Sequence, residues 1–429
     1  MEKRGKVDTR ERPLKIALVV DKFYPEAGAA AVQYYELGRF LARLGHDVFV
    51  LTTIPRYIEN SSYNPVSVKN ERWYKEEIFE NMHLFRIKVP EIDKSNLIRR
   101  AFEHFYLEFR MKRIVDILVG SKRKPDVLLI YSPPLPLSRV GIYSQKKYGI
   151  PYVLNVQDLF PKEAIQMGIL KNRLVIRYFE NMEKKAYKNA SAIVVHSERN
   201  AEHIKQVKPD KETFVIENWV DENRITPGPR VNKFSIEHGL IDKFVVSFAG
   251  TIGFAQDVKS IIESAALLRE YKDIVFIIVG DGARKKEAEN LIEKYRLNNV
   301  RLLPPVPPDE YPLVLHSSDV SLATLIKDLR TPVVPSKIVS IMSAGIPVIA
   351  SLDLNSDAHQ LIRIAKCGFS YPPEKPELIK EAILTLYKNP DLRVKLGKNG
   401  RKYVVENLSV RVAAKKFLEI FKSSLNEEG

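Results

Sequence analysis

Short apolar runs without alternation recur along this chain, separated by helical patterns. That rhythm restricts it to parallel sheets covered on both faces. Lys15–Asp21 is the first such run, followed by a loop containing Tyr24-Pro25 and Gly28. Ala29–Leu44 has helical spacing and stops at Gly45, and Asp47–Thr52 is the next strand. Similar runs return at Val127–Tyr131, Tyr152–Val156, Ala192–His196 and Thr213–Ile216. Residues Asp221–Asp242 are polar, contain Pro227-Gly228-Pro229, and read as a linker. A second series opens at Phe244–Ala249 and continues through Val275–Val279, Val300–Leu303, Val320–Ala323, Val348–Ala350 and Gly368–Tyr371. The expectation is an α/β protein of two doubly wound domains, residues 14–222 and 243–405. A last helical pattern lies in residues 406–429. In such sheets ligands sit beyond the carboxyl ends of the strands, which puts a site in the cleft between the domains.

The 429 residues are 45% hydrophobic and 28% charged, the balance of an ordered protein. Cys367 is the only cysteine, so neither a disulfide framework nor a cysteine zinc site is available within the chain. Met1–Arg12 lacks the apolar centre of a signal peptide. No apolar run reaches the ~18 residues that cross a bilayer, so a cytoplasmic location is expected. The formal charge of +15 calls for anionic partners. Residues 1–220 hold 38 basic and 27 acidic side chains against 30 and 26 in residues 221–429, so most of the excess lies in the first half. Neither an aromatic–basic RNA motif nor a helix-turn-helix pattern accompanies it, and no nucleic-acid partner is expected.

The loop after the first strand has a single glycine, Gly28, where a dinucleotide fingerprint needs three. Gly28-Ala29-Ala30 is either an approachable helix start or a plain tight turn. Asn155-Val156-Gln157-Asp158 follows a strand and faces the expected cleft. Asp158 either accepts a hydrogen bond from a sugar hydroxyl and acts as a base, or caps a turn. In the second domain, Ala249-Gly250-Thr251-Ile252-Gly253 and Val279-Gly280-Asp281-Gly282 each end a strand, and their backbones can approach a phosphate. Val334-Pro335-Ser336-Lys337 opens a helix carrying Ile338, Ile341 and Met342 on one face. There Ser336 can cap the start and Lys337 places a cation beside free amides. Three phosphate-tolerant segments thus meet at the carboxyl ends of one sheet.

Taken together these motifs resemble family-four glycosyltransferases of the GT-B fold, and within them the branch related to N-acetyl-L-fucosamine transferases and colanic-acid-type enzymes. Phe23-Tyr24-Pro25-Glu26-Ala27-Gly28-Ala29-Ala30 is similar to the family's first loop, and Leu44-Gly45-His46-Asp47-Val48-Phe49-Val50 to its second strand. Gln157-Asp158-Leu159-Phe160-Pro161 resembles the branch's Arg-Asp-Leu-Trp-Pro, and Val215-Ile216-Glu217-Asn218-Trp219-Val220-Asp221 the segment before its linker. The resemblance covers residues 14–425. It implies a retaining transfer from a nucleotide-sugar donor, a UDP-hexose or UDP-N-acetylhexosamine, to a lipid-linked or cell-surface glycan. The C-terminal helix would pack back on the first domain.

The implied donor site is Gly250, Thr251, Gly280, Asp281, Gly282, Arg330, Ser336, Lys337 and Ser340, with Asp158 and Lys337 in catalytic roles. The acceptor side is Gly28, Ala29, Gln157 and Asp158. This chain departs from the family at its paired glutamates, whose positions fall at Pro332 and Ser340, and at its histidine, which falls at Gln157. The usual basic pair falls at Thr251 and Gln256, leaving Lys337 and Arg330 to meet the diphosphate charge. No Asp-x-Asp occurs, so the expected chemistry is metal-independent and needs no cofactor beyond the donor. Lys94–Lys124 interleaves Arg99, Arg100, Arg110 and Arg113 with Phe102, Phe105, Tyr106 and Phe109. It is either a membrane-surface helix, which would make the protein peripheral at the inner face of the cell membrane, or a surface helix packed on the sheet. An epimerase of the same fold and a catalytically silent glycan-binding subunit are the rival functions.

Overall fold

The computed structural model describes residues 12–26, 28–55, 64–89, 97–329 and 334–426, and at 97–101 the backbone alone. The first sheet contains β1 (Lys15–Val19), β2 (Asp47–Thr53), β3 (Val66–Asn70), β4 (Tyr74–Phe79), β5 (Met82–Ile87), β6 (Val127–Ser132), β7 (Tyr152–Val156), β8 (Ala192–Val195) and β9 (Thr213–Val215). Its order is β3-β4-β5-β2-β1-β6-β7-β8-β9. The second holds β10 (Phe244–Ala249), β11 (Ile274–Val279), β12 (Val300–Leu303), β13 (Val320–Thr324), β14 (Val348–Ser351) and β15 (Gly368–Tyr371), in the order β12-β11-β10-β13-β14-β15. Every pairing in the second sheet is parallel. Both are Rossmann-like, and no helix among the described residues is long and apolar enough to cross a membrane.

The burial pattern explains why the strands lack alternation. Ala17 and Val19 of β1 pack into one core and Ile16 and Leu18 into another on the opposite face, all four fully buried. Phe244, Val246 and Phe248 of β10 likewise face away from Val245 and Ala249. A strand covered on both sides has no face left for polar residues.

The β3–β5 extension has no counterpart among the expected strands. Its β4 runs antiparallel to both neighbours, and the three strands are rich in charge. Arg86, 1% exposed, shows why charge is tolerated there. Its Nε donates to Glu77 at 2.9 Å, and its other nitrogens donate to the carbonyls of Thr53 and Tyr24 at 3.3 and 2.6 Å. A buried guanidinium needs such a full set of acceptors. It also anchors the loop after β1, which belongs to the site described below.

The polar stretch after residue 221 is less of a free linker than its composition suggests. It contains the short helix Lys233–Glu237, opened by Asn232 and Ser235 bonding each other's backbone. Arg224 is held by Glu36 at 2.9 Å and donates to the Pro308 carbonyl at 3.1 Å. The final helix, Val410–Asn426, returns to pack on helix Ala29–Arg43, with Phe417 edge-on to Trp219 at 5.5 Å.

Candidate active site

The two glycine segments of the second domain are zipped to each other. Gly250 N donates to the Val279 carbonyl and Ile252 N to the Asp281 carbonyl, at 2.9 and 2.8 Å. They extend the β10–β11 pairing past its last residues. The approach is close enough that a Cβ on Gly280 would stand 1.9 Å from the Gly250 oxygen, and one on Gly282 would stand 2.4 Å from the Ile252 oxygen. Both glycines also have left-handed φ, 153° and 155°. Asp281 and Thr251 are exposed at the rim, and Asp281 caps the Gly282 amide at 2.9 Å.

Lys337 lies beneath this zipped edge. Its Nζ is 3.8 Å from the centroid of the buried Phe248 ring, and a Cβ on Gly250 would be 3.3 Å from it. No carboxylate pairs with Lys337 among the described residues, and burial pushes its pKa down to about 7. Desolvation of a lysine without a counter-ion has this effect, and a bound anion would reverse it. Helix Ser336–Ser343 begins here. Pro335 holds its cap position, and Ser336, expected to cap, is instead the first helical residue and makes no capping bond. Proline has no side-chain acceptor, so the first-turn amides keep no side-chain partner from the cap. Half-buried Tyr311 has its phenol pushed up to about 12 by burial, with Ser340, one turn on, acting in the opposite direction.

The first domain presents a second open helix start. Gly28, with φ 137°, caps helix Ala29–Arg43 without a side chain, and no acid occupies the first turn. Asn218 ties the two helices together near their starts: Gln33, in the second turn of the first, donates to its side-chain oxygen at 2.9 Å, and its own amide donates to the carbonyl of Val334, just before the second, at 2.9 Å. Two positive helix ends and a lysine therefore converge on one part of the cleft, an arrangement suited to a diphosphate. Asn218 and Gln33 carry no chemical signature of their own in the sequence. Asn218 lies in a stretch quoted for the family resemblance, which was the only available signal.

In the first domain, Gln157 and Asp158 extend β7. Gln157 is buried and donates to Asn155 at 3.1 Å, and Asn155 donates to Tyr34 of helix Ala29–Arg43 at 3.3 Å. Asp158 and Glu163 form a carboxyl pair. Burial raises the pKa of both, and the charge on Asp158 raises Glu163 further, so the pair together holds on to a proton more strongly than free carboxyls do. Asp21, at the end of β1, is raised by burial as well. His196, at the end of β8, is held low at about 4 by burial, and its Nε2 has no partner among the described residues. Neither Asp21 nor His196 was singled out by sequence motif.

The remaining expected residues divide. Arg330 and Pro332 lie outside the described residues, as do the side chains of Arg99 and Arg100. Helix Leu97–Gly120 does form. Arg110, expected to reach a membrane, lies 5.0 Å from the rings of both Trp73, just before β4, and Tyr106, one turn back on its own helix. Phe105 and Tyr106 pack on the sheet core. Arg113 stacks on Phe109 at 5.3 Å, and Phe109 and Phe102 are exposed.

Residues 30–224 match the family described as Glycosyltransferase Family 4, and residues 232–403 the one described as Glycosyl transferases group 1. With its two facing sheets, the chain is a glycosyltransferase of GT-B type built from these paired domains. It is 25% identical to WbjE of Pseudomonas aeruginosa, named as a probable glycosyltransferase, over 344 residues covering 79% of this chain and 84% of that protein. It is 22% identical over 356 residues to WcaI of Escherichia coli K12, a glycosyl transferase named for colanic acid biosynthesis, covering 81% and 86%. Anabaena HepE in complex with UDP-glucose shares the fold at TM-score 0.69 and 17% identity, over 96% of this chain and 100% of that one.

Proposed function

We propose that this protein transfers a sugar, with retention of configuration, from a UDP-hexose or UDP-N-acetylhexosamine to a lipid-linked or cell-surface glycan. It would belong to the branch of N-acetyl-L-fucosamine transferases and colanic-acid-type enzymes and act peripherally at the inner face of the cell membrane. One observation carries the reading: Lys337, set beneath the Gly250 loop, shares its part of the cleft with two helix starts tied by Asn218. When the bond from the sugar to the diphosphate breaks, negative charge grows on the leaving oxygen. Lys337, the first-turn amides at Ser336 and the Gly250 and Gly280 backbones would stabilise it without a metal, with Arg330 and Ser340 completing the donor site. Asp158, kept near neutrality's edge beside Glu163, would accept a hydrogen bond from a hydroxyl of the acceptor, with Gln157, Gly28 and Ala29 around it. HepE was captured with UDP-glucose, and WcaI is named for colanic acid biosynthesis, which supports the donor and acceptor classes.

The test is product analysis with a panel of UDP-sugars, with and without a polyprenyl-diphosphate-linked glycan. Acceptor-dependent release of UDP with a lengthened glycan supports transfer. Sugar interconversion without acceptor would make the protein an epimerase, and UDP-sugar binding with no product a silent subunit.

A further inference from the structure

A basic and apolar face of the first domain is built by helices Leu97–Gly120, Ser138–Tyr148 and Arg173–Asn189. The third of these was not expected to serve any surface role. Its outer side carries Leu174 at 80% exposure, with Val175 and Tyr178 also exposed, and a helix in water has no reason to place leucine there. Phe102 and Phe109 stand exposed on the first helix, and the Phe105–Tyr178 ring contact at 6.3 Å joins the two helices into one surface. Around these side chains lie Arg173, Arg177, Lys184, Lys185 and Lys188, all exposed and none in an ion pair among the described residues.

A cavity of about 530 Å³ opens between the same three helices. Its walls are largely apolar, with Ile142, Tyr143, Tyr178 and Met182, and its cations are Lys112, Arg139 and Lys185. Lys112 and Arg139 both lean on the single carboxylate of Glu108, which leaves the cavity an excess of positive charge. An apolar wall under an uncompensated cationic rim matches a phosphate attached to a hydrocarbon chain. It suits neither a free sugar nor a neutral protein surface.

We propose that this face seats the enzyme on an anionic lipid bilayer. Leu174, Val175, Tyr178, Phe102 and Phe109 would enter the interface, and one lipid phosphate would be drawn into the cavity by Lys185 and Arg139. This rests on the membrane-proximal part of the function proposed above, and it moves the principal contact from the start of helix Leu97–Gly120 to helix Arg173–Asn189.

The full-length protein is sedimented with phosphatidylcholine vesicles containing or lacking phosphatidylglycerol, and UDP binding and the thermal midpoint are measured on each variant. The expected result is salt-sensitive binding to the anionic vesicles only. Arg173→Gln, Arg177→Gln and Lys185→Gln together should lower it by about a hundredfold, from the usual contribution of each interfacial cation. Leu174→Ser with Tyr178→Ser should lower it in a way that salt does not reproduce, and UDP affinity should be unchanged throughout. If the triple variant binds as wild type while Arg99→Gln with Arg100→Gln releases the protein, the inference fails and the membrane reading stands. If wild type ignores anionic vesicles, both fail, while unchanged UDP binding keeps the donor-site assignment separate. Inorganic phosphate binding at Lys185 without vesicle binding would identify a soluble-anion site and also overturn the proposal.

Discussion

With Lys337 against the donor diphosphate, as proposed, donor binding is linked to protonation. The Lys337 ammonium is desolvated against Phe248 with no carboxylate beside it, and its pKa is pushed down to about 7. A diphosphate placed against it would restore the ordinary value near 10.5, because an adjacent negative charge favours the protonated form. Above neutrality the free enzyme has lost this proton and the complex has not, so binding must take it up. For a free pKa of about 7 and a bound pKa near 10.5, linkage gives an affinity loss of about 16-fold between pH ~7 and pH ~8.5, or roughly 1.6 kcal/mol. At about pH 8 close to 0.9 proton should enter per UDP bound. UDP titration calorimetry in two buffers of different ionisation enthalpy reads the proton count directly. Lys337→Ala should abolish the uptake and cost about 1.5–3 kcal/mol of affinity at neutral pH, as for a charge-assisted hydrogen bond. A flat affinity across this range with no buffer dependence would refute the placement of Lys337 against the diphosphate.

Gly280→Ala should destabilise the fold by about 2–4 kcal/mol, since the methyl would overlap the Gly250 carbonyl at a left-handed φ, and UDP binding should weaken with it. Gly45→Ala is the control, with φ 92° but open space around it; equal midpoints in urea for the two variants would show that the zipped edge can yield. Glu36, buried and raised to about 7 by desolvation in spite of Arg224, binds a proton in the folded chain that the unfolded chain has shed above pH ~4.5. Stability should therefore fall as pH rises through that window, and Glu36→Gln should remove that share. Parallel wild-type and variant stability curves would contradict it. Sugar transfer should survive EDTA, since the proposed leaving-group charge is met by Lys337 and amides; loss on chelation, restored by magnesium or manganese, would replace that chemistry.

The strands of both sheets' centres were legible because burial on two faces demands apolar residues at every position, as in Ile16–Val19 and Phe244–Ala249. The glycine loops and Ser336-Lys337 were legible because left-handed backbone and a helix start restrict residue type locally. The β4–β5 hairpin escaped notice for the opposite reason. Glu76 and Arg86 look like surface residues until Arg123 and the carbonyls of Thr53 and Tyr24, distant in sequence, are brought against them.

By itself, then, the sequence determined two α/β domains with parallel strands at their centres and the places of the glycine loops and helix starts, since those follow from neighbouring residues. Only the tertiary structure decided how these segments combine. It put Asn218 between Gln33 and Val334, lodged Lys337 under Gly250, set Arg110 against Trp73, and left Leu174, Val175 and Tyr178 of helix Arg173–Asn189 exposed while Met182 and Ala186 of the same helix pack into the core. Each of these depends on contacts between residues far apart along the chain. A side chain's charge state, exposure and partner are set by what folding brings beside it, and no local pattern encodes that.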